Sequence, residues 1–136
     1  MSDILPTIIS IINTNWNSSN CVKPNVVDEI FDKKFTNLST QETILVFETG
    51  QNREPFGLGA NTYSITYHVS CDIMTTTSRE RLISIRDELI RCFREELKVN
   101  KEFVIVERVV DMCNDLRKIF RCVVDVRYTL WEDYSA

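Results

Sequence analysis

The stretch from Thr62 to Met74, TYSITYHVSCDIM, alternates almost without a break. Tyr63, Ile65, Tyr67, Val69, Cys71 and Ile73 occupy the odd positions, while Thr62, Ser64, Thr66, His68, Ser70 and Asp72 occupy the even ones. A two-residue period sends successive side chains to opposite faces of a strand, so this segment predicts a sheet buried on one side and polar on the other. A slip of one residue would turn the whole apolar set outward. The rest of the chain must therefore supply a covering layer for one face only.

The same stretch holds the only histidine, His68, with Cys71 and Asp72 close behind. These residue types build many metal and catalytic centres. Strand geometry takes the group apart: Cys71 points away from the other two, and His68 and Asp72 stand roughly 13 Å apart at about 3.3 Å per residue. His68 is accordingly read as a solvated or interface histidine on the polar face in preference to a ligand or catalyst.

Helical periods flank the strand. Ile4, Leu5, Ile8, Ile11 and Ile12 recur at helical spacing and predict a helix over residues 3 to 16, with Asp3 as its cap and Pro6 in its first turn. The Asn-rich NTNWNSSN that follows favours loop, and a second short helix is expected after Pro24, through Val27, Ile30 and Phe31. Thr77 and Glu80 have the spacing of a capping box. Behind them, Leu82, Ile85, Leu89, Phe93 and Leu97 form one stripe of a long amphipathic helix, with Glu88 and Cys92 on its margin.

Three more strands are expected. TILVFET, residues 43 to 49, is β-branched and apolar; GQNREPFGLGA then gathers all three glycines and reads as a long hairpin loop. FVIVERVV, residues 103 to 110, and FRCVVDVRYTLW, residues 120 to 131, form a second hairpin about a turn centred on Asn114 and Asp115. The expected fold is α+β: an antiparallel four-stranded sheet with a ββαββ core, one long helix and an N-terminal helix packed on one face. One domain, residues 1 to 136, accounts for the length, with an N-terminal helix and loop over 1 to 41 and the core over 42 to 133.

A formal charge of -4 argues against a general nucleic-acid binder and against an anionic membrane surface. The apolar run at Ile8 to Ile12 lacks the flanks of a secretory signal and is too short to span a bilayer. Five cysteines without a CxxC spacing suggest a reducing compartment; only Cys21 and Cys113 fall in expected loops where a thiol could react. Gly57-Leu58-Gly59 is followed by no GK[ST], so it reads as hairpin flexibility and not a phosphate cradle. The five arginines from 79 to 94 are interleaved with acids and form no basic stripe. No catalytic, cofactor or metal site is expected, and the chain is not read as an enzyme.

The element order, the strand YSITYHVSCDIM passing through TTTSRERLISIRDELIRCF into a helix, and the closing FRCVVDVRYTLWED resemble the tail terminator, or tail completion, proteins of long-tailed phages and related viruses, over residues 40 to 133. The resemblance implies a virion protein of the neck or tail, assembled in the host cytoplasm into a ring of six subunits. Such a ring caps the tail tube, contacts the tube protein and the head-completion proteins, and passes DNA through its lumen without specific binding. Candidate interface residues are Arg53, Glu54, Phe56 and Leu58 in the expected hairpin loop, His68 on the polar face, and the aromatic anchors Trp131 and Tyr134. Deleting residues 51 to 58 is expected to leave a folded monomer. The rival reading is a small ferredoxin-like ligand-binding or regulatory domain acting as a dimer.

Overall fold

The alternation of residues 62 to 74 does build a strand, and it lies at the centre of the sheet in a computed structural model that describes residues 4–28, 42–56, 62–100, 103–113 and 119–133. The elements run α1 (Leu5–Asn15), β1 (Asn25–Asp28), β2 (Thr43–Phe56), β3 (Thr62–Thr75), α2 (Arg79–Glu95), a π-helical turn (Glu96–Asn100), β4 (Phe103–Asp111) and β5 (Phe120–Asp133). The sheet order is β1-β2-β3-β5-β4. All neighbours are antiparallel except β1 and β2, which run parallel. The fold is α+β with a five-stranded mixed sheet, one strand more than the antiparallel four expected.

The fifth strand replaces the helix expected after Pro24. Val26 and Val27 are β-branched and favour an extended backbone, and β1 pairs with the start of β2, Val26 opposite Ile44 and Val27 opposite Leu45. The rest of that expected helix, including Ile30 and Phe31, lies outside the described residues.

Both helices cover the same face. Ile65, Tyr67, Val69, Cys71 and Ile73 of β3 are buried there with Val124 and Val126 of β5, under Leu82, Ile85, Leu89 and Phe93 of α2 and Ile8 and Ile12 of α1. The α2 stripe ends earlier than its periodicity suggests: the π-helical turn leaves Leu97 39% exposed. Ser78, not Thr77, is the N-cap of α2, its hydroxyl accepting the Arg81 N–H at 3.1 Å. At α1 the cap position is Ile4, without a side-chain bond, and Asp3 lies outside the described residues.

From Gly50 to Phe56 the expected loop is instead strand, and its remainder, residues 57 to 60, lies outside the described residues. Between Glu48 and Gly50 a bulge adds one residue, and β2 then continues against β3 as far as Phe56 opposite Thr62. Deletion of residues 51 to 58 would thus remove paired strand up to Phe56, and would not be the mild change that the sequence suggests.

Candidate functional site

On the face away from the helices, the polar positions of β3, β4 and β5 come together. His68 Nδ1 lies 3.4 Å from Glu107 Oε1, and its Nε2 lies 3.5 Å from the Asn52 amide. The Thr49 hydroxyl donates to the His68 carbonyl at 3.1 Å. Next along β3, Ser70 donates to Asp125 Oδ1 at 2.6 Å, and Arg108 Nε donates to the other oxygen of Asp125 at 2.9 Å. Thr49, His68, Ser70, Glu107, Arg108 and Asp125 line an open depression of ≈ 540 Å³.

One step further, Asp72 is buried and receives Arg121 Nε and Nη2 in a two-toothed pair at 2.9 and 2.5 Å. The guanidinium covers the carboxylate that strand alternation had placed on an exposed face. Alternation therefore marks the face correctly, and the arginines decide how much of that face is wet.

This arrangement brings together what the sequence did not. His68 is joined to Glu107, Ser70 to Asp125, and Asp72 to Arg121, each from a strand distant in sequence. Cys71 is fully buried on the other side, where loss of solvation and the nearby Asp125 and Asp72 push its thiol well above the ordinary range. A nucleophilic serine must pass its proton to a base. Here the Ser70 hydroxyl donates to Asp125, while His68 lies against Glu107 and Asn52. No group of three or more His, Cys, Asp and Glu among the described residues is placed to hold a metal ion.

The other interface candidates divide. Arg53 and Glu54 are both exposed, but their partners Ile65 and Ser64 place them on opposite faces of the β2–β3 pair, so they do not form one patch. The backbone of Phe56 closes β2 and that of Trp131 pairs with Ser64, while both side chains lie outside the described residues, as do Leu58 and Tyr134 entirely. Of the two candidate thiols, Cys21 is buried, which raises its pKa despite Arg81 Nη1 at 3.0 Å; Cys113 is half-buried.

Sequence reasoning missed a second polar assembly, between α2 and the chain after α1. Glu88, expected on the margin of α2, is buried. It accepts hydrogen bonds from Arg91 Nε at 2.8 Å, the Asn17 backbone N–H at 2.8 Å and Asn20 Nδ2 at 3.1 Å. Asn15 Nδ2 donates to Glu96 Oε2 at 2.8 Å. The Arg91 hydrogen bonds, outweighing burial and aided by Asn17 and Asn20, pull the Glu88 carboxyl down to about 2. Nearby, Glu42 binds Arg81 at 2.7 and 2.8 Å and accepts the Thr75 hydroxyl at 2.8 Å, which lowers its pKa. The Asn-rich composition of NTNWNSSN was the available signal: amides tie an irregular segment to helix carboxylates as readily as they cap a turn.

No known family model matches the chain, and no curated protein matches it.

Proposed function

We propose that the chain is a tail-terminator-like structural protein of a virion neck or tail, which assembles into a homo-oligomeric ring of six subunits, caps the tail tube and joins it to the head. The observation that supports this reading is the character of the open sheet face. Polar groups from different strands are held together on it: Arg108 pairs with Asp125, Arg121 pairs with Asp72, and His68 Nδ1 lies 3.4 Å from Glu107. A face of that kind offers a pre-organised polar surface to a neighbouring chain. An acidic chain without a basic stripe also suits a lumen through which DNA slides without being held.

The rival reading, a dimeric ligand-binding domain, draws on the depression beside His68. The observed order α-β-ββ-α-ββ differs from the β-α-β-β-α-β order of ferredoxin-like domains. Native mass spectrometry of the purified chain separates the two. A closed ring, with six subunits as the expected count, supports assembly; a stable dimer carrying a bound metabolite contradicts it.

A further inference from the structure

Among the described residues the buried carboxylates are those of Asp72, Glu88 and Glu96. Arg121 pairs with Asp72 and Arg91 with Glu88. Glu96 is only 9% exposed, yet no lysine or arginine among the described residues forms an ion pair with it. Its hydrogen bond comes from a neutral group, the Asn15 amide, which donates to Oε2 at 2.8 Å. Withdrawing a carboxylate from water without a countercharge is costly, and buried acids are ordinarily paired.

The period of α2 carries Glu96 to this place. Leu82, Ile85, Leu89 and Cys92 are buried at steps of three and four residues, and the next step along the same face is Glu96. It also opens the π-helical turn Glu96–Asn100, a local widening that recurs at functional sites. Beside it, between α1 and β5, lies an open pocket of ≈ 370 Å³ lined by Pro6, Thr7, Ser10, Ile11, Glu96 and Tyr128.

We propose that this pocket binds a primary alkylammonium group, whose positive charge pairs with the Glu96 carboxylate. Asn15 engages Oε2, which leaves Oε1 to accept from the ligand. The rest of the lining suits the same chemistry. Thr7 and Ser10 bring hydroxyls that accept from ammonium hydrogens. Pro6 and Ile11 bring apolar surface for the methylene chain, and Tyr128 is of the aromatic class that attracts organic cations. A hard metal ion wants a cage of oxygens instead, and no group of three or more His, Cys, Asp and Glu among the described residues is placed to form one.

A free aliphatic amine and a lysine side chain of a second copy present the same ammonium. The pocket lies within one subunit, so its chemistry does not depend on the ring reading.

Titration of n-butylammonium chloride into the labelled full chain, followed by amide NMR against sodium chloride at equal ionic strength, tests the site. Saturable shifts are expected around Thr7, Ser10, Ile11, Asn15 and Glu96. Glu96→Gln keeps the side-chain size and an acceptor for Asn15, and is expected to weaken binding by about tenfold or more. Should E96Q not fold, Ser10→Leu, an exposed change that narrows the pocket without touching the carboxylate, is expected to abolish saturation. Light scattering of the same samples separates the two sources. Amine that binds and lowers the particle mass has displaced a neighbour's lysine, whereas binding at unchanged mass assigns the pocket to a free amine. Shifts that fail to saturate, that sodium chloride reproduces, or that persist undiminished in a folded variant overturn the proposal and leave the ring reading standing.

Discussion

Replacing Glu88 by glutamine keeps the size of the side chain and removes its charge. The carboxylate side chain is only 3% exposed and is held by Arg91, Asn17 and Asn20, so solvent does little to replace what is lost. The carboxyl pKa falls from the ordinary 4.5 to about 2. At ~1.4 kcal/mol per tenfold change in proton affinity, that drop corresponds to roughly 3 kcal/mol of folding stability at neutral pH. Arg91 is itself partly exposed and retains some hydration when unpaired, so E88Q is expected to cost about 2 kcal/mol, near the lower end for a broken buried pair. Because the folded-state pKa is depressed, the contribution is fully present above pH ~4.5 and is lost as pH falls towards about 2. Urea unfolding of wild type and E88Q, at pH 7 and again at pH 2, reads both effects. The two curves should be about 2 kcal/mol apart at pH 7 and nearly coincide at pH 2. A gap below about 0.5 kcal/mol at pH 7, or one unchanged at pH 2, would refute the assignment.

On the open face, Asp72→Ala should lower stability by about 3 kcal/mol by leaving the Arg121 guanidinium without its buried partner; thermal melts that move by less than a degree would contradict this. Ser78→Ala should cost about 1 kcal/mol through loss of the α2 cap, while Thr77→Ala should stay within about 0.5 kcal/mol; equal losses in chemical denaturation would return the cap to Thr77. Burial pushes the Cys92 and Cys122 thiols up to about 12 and Cys71 higher still. A thiol reagent at pH 8 should therefore label Cys113 quickly and the other four cysteines only on unfolding, as read by peptide mass mapping.

Where one physical signal dominated, the sequence was legible. Strict alternation identified β3 and its buried face, and the apolar spacing of Leu82, Ile85, Leu89 and Phe93 identified α2. The two misread strand segments share a cause: each depended on a distant partner. Val26 and Val27 form a strand because β2 lies beside them, and Gly50 to Phe56 stays extended because β3 continues opposite. Neither partner is visible in the local pattern. The His68 surroundings were half legible. Geometry on one strand correctly separated His68 from Cys71 and Asp72, but only the order β3-β5-β4 brings Glu107 and Asp125 to the same face. Glu88 shows the reverse case, a charged residue that helical spacing assigns to a margin and that a neighbouring Asn-rich loop then covers.

In the proposed function, copies of the chain close into a ring with an open centre. Class averages of single particles of the purified wild-type protein, taken in the electron microscope, would show that ring. Annular particles with cyclic symmetry, six subunits and a lumen that admits duplex DNA are expected; compact two-fold particles, or a field of monomers at all concentrations, would overturn the proposed function.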